Sequence, residues 1–355
     1  MEMVPMERKD MAGKIFTVLG LIKPEELGKT IAHEHLVADF RCAWMELPYA
    51  TDRAKALEPF SLKNSDWIRK HRFNVLDNLL LMDEDEAVEE AMLFKARGGD
   101  SMFELSNKSM ARDPLALQRI SRRTGLHIVM GGGYYVVKSH APSFKNRDVD
   151  SLTEEFINEV RYGADGTGIR PGILGELGCT WPLHPDERKV LVAAARTQKA
   201  TGIPINVHPG WSAKSVMDIL EILSDNGADL THVAMSHTDR TLLTHEERVE
   251  TLKSGCYLVY DSIGREGYFD QNTIIDIPND NYRANHIIKL IEEGYGDKIM
   301  LSADVCTKDQ RVKYGGHGYV HILSYFEPLL LKKGISREIV DKLLIHNPAR
   351  SATYF

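Results

Sequence analysis

Thr30-Ile31-Ala32-His33-Glu34-His35-Leu36 sets two histidines one residue apart inside an otherwise apolar run. Read as a strand, it sends His33 and His35 to one face and Ala32 and Glu34 to the other, because side chains alternate along extended backbone. Two neutral imidazoles on one face suit a shared metal ion, whereas a single strand histidine is ordinarily a satisfied polar residue. The rest of the chain decides between these readings. Glu176, His208, His237 and Asp304 each stand at the end of a later apolar run.

From Asp83 one unit recurs: an amphipathic helix, a glycine stop, a short apolar run, then a polar residue. DEDEAVEEAMLFKAR (83–97) carries acids in its first turn and Lys95 and Arg97 in its last, as the helix dipole favours, and Gly98-Gly99 ends it before SMFEL. The same apolar run returns in LHIVMGGGYY, GILGELG, IPINVHPG, HVAMSHTD, CYLVYD and DKIMLSAD. With the histidine run this makes about eight strands, most of them separated by helices. Regular alternation of strand and helix argues for an α/β fold of parallel strands with helical crossovers, and the count fits a closed (β/α)8 TIM barrel. In that fold the reactive groups gather where strands end and βα loops begin. His33 and His35 then belong to strand 1, Tyr135 follows strand 3, and Glu176, His208, His237, Asp261 and Asp304 close strands 4 to 8. A doubly wound sheet would carry a phosphate-binding glycine loop after strand 1, and HEHLVADF is no such loop. MGGGYY lacks G-x-G-x-x-G spacing, and its glycines read as positions of close backbone approach.

The remaining stretches carry no chemistry of their own. Residues 1 to 13 read as a polar tail and Lys14 to Leu21 as an outer hairpin strand. The stretch at about 37–74 reads as an insertion over one end of a single domain spanning 1–355. The chain has 355 residues, 43% apolar and 27% charged, with a net charge of −7, which is the profile of a soluble globular protein. No basic surface for nucleic acid and no apolar run long enough for a membrane span is present, which leaves a small-molecule substrate as the partner, with a homodimer compatible with this class. Four scattered cysteines without a C-x-x-C, and acids where a signal peptide needs an apolar core, point to the reducing cytoplasm.

Four histidines, one glutamate and one aspartate are too many for one tetrahedral zinc, so two divalent ions are expected, zinc foremost, although such ligands also suit manganese, iron or cobalt. His33, His35 and Asp304 are assigned to one ion, His208 and His237 to the other, and Glu176 to both. Paired ions of this kind polarise a carbonyl or phosphoryl oxygen and hold the attacking hydroxide between them. Asp304 is the expected catalytic base and acid. Asp239 reads either as a proton relay behind the ligands or as a helix cap, and Asp261 either as substrate-facing or as a cap. Tyr135 and His317, the latter in YGGHGY, read as pocket walls.

The motifs TVLGLIKPEELGKTIAHEHL, GELGCTWPL, INVHPG, SHTDR, YGGHGY and HNPAR, in this order along nearly the whole chain, resemble the phosphotriesterase-related proteins of the amidohydrolase superfamily. The resemblance implies a (β/α)8 barrel with a binuclear divalent site on His33, His35, His208, His237 and Asp304. One position departs from the phosphotriesterases themselves, which bridge their metals with a carbamylated lysine on strand 4. PGILGELGCT has no lysine and offers Glu176 instead. The members with the most similar motifs are associated with hydrolysis of N-acyl amides such as N-acetyltaurine, and relatives are described as toxin-binding proteins. The expected function is hydrolysis of an amide or ester bond, foremost of an anionic N-acyl amide. The alternatives are a lactonase or phosphotriesterase-like esterase and a catalytically silent toxin-binding protein. A cationic loop after strand 8, with Lys308, Arg311 and Lys313, and Arg265 after strand 7, are the expected anion contacts.

Overall fold

In the computed structural model, which describes residues 5–47, 49–265 and 277–355, eight parallel strands form one continuous sheet. They are Thr30–Glu34 (β1), Ser101–Glu104 (β2), His127–Gly132 (β3), Ile173–Gly178 (β4), Ile205–His208 (β5), Val233–Met235 (β6), Tyr257–Tyr260 (β7) and Ile299–Leu301 (β8). Each pairs with its sequence neighbour in parallel, from β1 through to β8. The long helices between them are Glu84–Ala96 (α1), Pro114–Thr124 (α2), Val149–Tyr162 (α3), Pro185–Thr201 (α4), Ala213–Asp225 (α5), His245–Lys253 (α6) and Asp280–Glu292 (α7). The fold is the (β/α)8 barrel that the alternation predicts.

Their starts and stops follow local chemistry. The Asp83 carboxylate accepts hydrogen bonds from the amides of Asp85 and Glu86 at the head of α1, and α2 and α4 begin on a proline and end on a left-handed glycine. Apolar residues on alternate strand positions fill the barrel interior and its floor, among them Ala32, Phe103, Val129, Ala234, Val259 and Met300. Their neighbours face the helices, so both sides of the sheet are buried, as a parallel sheet requires.

The barrel is closed between β8 and β1 by side chains. Ser302 Oγ accepts from the His33 amide at 2.9 Å and donates to Glu34 Oε1 at 2.7 Å. The Glu34 carboxylate also accepts from the amides of Ala303 (2.8 Å) and Val305 (2.9 Å). The β1 register shifts between Ile31 and Glu34, so the strict alternation expected there does not hold, and Ala32 joins the interior layer while the His33 ring still reaches the mouth.

Two peripheral expectations change and one holds. The polar tail is docked rather than frayed: Met11 is fully buried and Arg8 donates to the carbonyls of Phe355 and Lys199; residues 1–4 lie outside the described residues. Ile15–Thr17 and Gly20–Ile22 form the expected outer hairpin. The excursion after β1 is pinned by a ribbon of Ala38–Asp39 with Leu80–Leu81, so it closes beyond residue 74. Between these strands run short turns and helices, and Arg72 and Asn78 bind Asp309 at 2.7 and 2.9 Å, fastening the excursion to the loop after β8. No helix among the described residues is long and apolar enough to cross a membrane, and all four cysteines are free.

Candidate metal centre and active site

Six side chains converge at the carboxyl end of the barrel. Glu176, near the end of β4, stands between two histidine pairs: its Oε1 lies 3.4 Å from His35 Nε2, and its Oε2 lies 3.5 Å from His33 Nε2, 3.1 Å from His208 Nδ1 and 3.4 Å from His237 Nε2. Asp304 Oδ1 lies 3.5 Å from His35 Nε2. Three groups of mutually close ligand atoms result among the described residues: His33 with His35 and Asp304, Glu176 with His208 and His237, and His33 with His237 and Asp261. All are buried, and Nε2 of His33 and of His35 has no hydrogen-bond partner. Buried imidazole nitrogens facing carboxylates at non-bonded distance fit a cation between them, since an unsatisfied buried polar atom is otherwise costly. The donor set of nitrogen and oxygen atoms suits a divalent ion.

The charges support one another. Burial alone raises a carboxyl pKa, but the His33 charge and hydrogen bonds from His208 and His237 outweigh it, and Glu176 is held well below the usual carboxylate range. Backbone conformation contributes as well. His237 and Asp304 sit at φ +57° and +48°, left-handed positions uncommon for side chains other than glycine and frequent at functional sites. Glycines around Glu176 serve packing: a Cβ on Gly178 would come within 2.1 Å of the Val136 amide, and one on Gly131 within 2.1 Å of the Gly175 carbonyl. The Gly131 contact is the close backbone approach expected of the MGGG run at the end of β3.

Behind the cluster, each ring of the first pair is held by its far nitrogen. His33 Nδ1 lies 2.8 Å from Ser236 Oγ and 3.0 Å from Asp261 Oδ2, and His237 Nδ1 lies 2.9 Å from Asp261 Oδ1. His35 Nδ1 lies 3.0 Å from Ser106 Oγ, which donates to Glu104 at 2.6 Å. Such contacts fix ring orientation and tautomer. Asp261 is therefore fully buried beneath two histidines, unlike the substrate-facing position that was one of its two sequence readings. Ser106, Ser236 and Glu104 are invisible to motif reading, because isolated serines and strand acids carry no spacing signal.

Over the cluster opens a cavity of about 520 Å³, with Glu176, His208 and Asp304 in its wall. Tyr135 lines it as expected, its hydroxyl 3.4 Å from His208 Nδ1. The other expected contacts are placed elsewhere. His317 does not line the cavity; its ring occupies space left by Gly264, where a Cβ would approach it within 2.7 Å, and faces His321. Asp239 pairs with buried Arg283 at 2.6 Å. Of the strand-8 cations, Lys308 pairs with Asp77, Lys313 with Glu86, and Arg311 with Glu86 and the Leu36 carbonyl. Acids on the excursion and in the first turn of α1 draw these three off the mouth. Arg265 does line the cavity, and so does Arg240, which the sequence reading did not single out.

The profile of the Phosphotriesterase family matches residues 13–352. The chain belongs to that family. It is a member of the amidohydrolase superfamily and a metal-dependent hydrolase, as the sequence motifs implied. It is 42% identical to the N-acetyltaurine hydrolase of Homo sapiens over 346 residues, covering 97% of this chain and 99% of that one. Among solved structures it is similar to a resiniferatoxin-binding protein from Rhodobacter sphaeroides, with a TM-score of 0.93, 33% identity and 98% of each chain covered. A lactonase from Listeria monocytogenes follows the same fold at a TM-score of 0.77 and 25% identity, covering 96% of this chain and 99% of that one. The match therefore spans the barrel and the excursion.

Proposed function

We propose that this hydrolase cleaves the amide bond of small anionic N-acyl amides of the N-acetyltaurine type, in the cytoplasm, with two divalent ions, zinc foremost, held by the six convergent residues. His33, His35 and Asp304 would hold one ion, His208 and His237 the other, and Glu176 would serve both. When bound, such ions acidify a water and polarise the scissile carbonyl. The observation that carries this reading is the position of Glu176, whose carboxylate lies within 3.5 Å of all four histidines, Oε1 beside His35 and Oε2 beside His33, His208 and His237. The similarity to N-acetyltaurine hydrolases over nearly the full length supports the substrate type.

The protein groups divide the work. Asp304, whose side chain borders both the cluster and the cavity, takes the proton of the attacking water and passes it to the amide nitrogen. The water oxygen bonds to the acyl carbon, the carbon–nitrogen bond breaks, and a carboxylic acid and an amine leave. Tyr135 stays a hydrogen-bond donor, since burial, with Glu176 nearby, pushes its phenol well above the usual range. Its hydroxyl, 3.4 Å from His208 Nδ1, would steady the substrate.

The test is metal content in bicarbonate-free buffer, followed by a hydrolysis screen of N-acyl amides, lactones and phosphotriesters with His33→Ala as control. Two ions per chain, loss of at least one in Glu176→Gln, and turnover of amides abolished in His33→Ala are expected. Bicarbonate-dependent loading, unaltered loading in Glu176→Gln, or activity surviving His33→Ala would refute the assignment.

A further inference from the structure

The cavity wall is electrically one-sided. Apart from Glu176 and Asp304, no acid lines it among the described residues, while Arg240 and Arg265 are built into it and Lys138 stands exposed at its edge. Both arginines are buried, 7% and 6% exposed, so they meet a ligand with little competition from water. They come from the loops after β6 and β7. The wall supplied by the excursion carries Phe40, Met45 and Phe73 and no charge.

Arg240 is the better fixed of the two. Its guanidinium lies over the Trp211 ring at 4.5 Å, and its Nη2 lies 3.2 Å from Asp304 Oδ2. Its neighbour Asp239 is clamped by Arg283, which also donates to the Arg265 carbonyl at 3.0 Å. The base that serves the leaving nitrogen and the arginine are thus adjacent, and this adjacency orients the substrate. If Asp304 delivers a proton to the amide nitrogen, the amine half must extend along Arg240 and the acyl half toward the apolar wall. We propose that Arg240 selects amides whose negative charge lies on the amine half, separated from the nitrogen by about two or three carbons. This rests on the amide reading above and adds to it the direction in which the substrate lies. A guanidinium, flat and weakly hydrated, matches a sulfonate or carboxylate with paired donors.

Four amides discriminate: N-acetyltaurine, N-acetyl-β-alanine, neutral N-propylacetamide, and N-ethylsuccinamate, whose charge sits on the acyl half. With metal-loaded enzyme, the first two are expected to exceed N-propylacetamide in kcat/KM by roughly ten- to a hundredfold, the scale of a buried charge-assisted contact. N-ethylsuccinamate gains nothing over the neutral compound. In Arg240→Gln the preference collapses toward one, chiefly through KM, and Arg240→Lys restores part of it. Competitive inhibition by propane-1-sulfonate, which is not turned over, weakens about tenfold or more in Arg240→Gln. Metal content and thermal unfolding of each variant identify one that has merely lost its fold, and Arg265→Gln then provides the second probe of the same wall. Equal or greater preference for the acyl-half anion, or an unchanged preference in Arg240→Gln, overturns the assignment while the amide reading stands. Failure of all four amides overturns the amide reading and this inference with it.

Discussion

Asp304→Asn keeps the shape of the side chain and removes its proton affinity. Turnover of the amide should fall by roughly 10²- to 10⁴-fold, read as kcat under saturating substrate, with a near-normal rate counting against the base assignment. Asp261 is a separate case, because it is fully buried beneath two histidines. It accepts from two histidines at once, so Asp261→Asn should weaken metal affinity by about 10- to 100-fold while leaving all six ligand side chains in place, as a chelator competition titration would show. The six convergent groups were legible from the sequence because each ends an apolar run, and strand ends in this fold share one mouth. Asp261 ends a run as well, so its position was legible and its role was not: sequence gives the face a residue occupies but not which of two layers it stops in. Arg240 was missed for a different reason. An arginine in SHTDR reads as a solvated helix-start residue, and only the Trp211 ring and Asp304 around it make it part of the cavity.

At the level of elements, the loops after β6, β7 and β8 are bound into one block by buried ion pairs. His321 contacts Asp280 at 2.7 Å, Asp280 and Asp239 both bind Arg283, and Asp280 accepts from the Gly264 amide. Arg283→Met would leave two carboxylates buried without that cation, a loss of about 3–5 kcal/mol in urea unfolding. The same block contains His317, whose imidazole burial pushes down to about 3, with the His321 charge adding to the effect. The native protein therefore refuses a proton that the unfolded chain accepts below about 6.5. Stability on this account is full above that pH and declines as pH falls from about 6.5 toward 3, by about 1–2 kcal/mol at pH 5. The melting temperature of His317→Gln should fall less between pH 7 and pH 5 than that of the parent; equal slopes would remove the histidine from the explanation. The loop after β8 shows where reading by charge failed. Lys308, Arg311 and Lys313 form a cationic run in sequence, but their partners Asp77 and Glu86 lie more than two hundred residues away and become neighbours only once the excursion folds over the mouth.

Across the whole molecule, helix–strand alternation was enough to specify the barrel, because a parallel sheet buried on both faces leaves few other ways to pack these elements. The way the barrel closes was not legible. Its seam depends on Ser302 and Glu34, two polar residues whose contact spans a sequence separation of 268. That seam has a consequence for how the protein is made. At translation rates of about 5–20 residues per second, the nascent β1 waits roughly a quarter of a minute to a minute for the partner that covers its open edge, since 269 residues separate His33 from Ser302. Through that interval the two histidines of β1 that we propose as metal ligands are in the cell without Asp304, and an unpaired strand edge is exposed to other chains. A working enzyme therefore cannot exist before β8 has been made, and any ribosome stalled before residue 302 leaves an open barrel for the chaperone system to deal with.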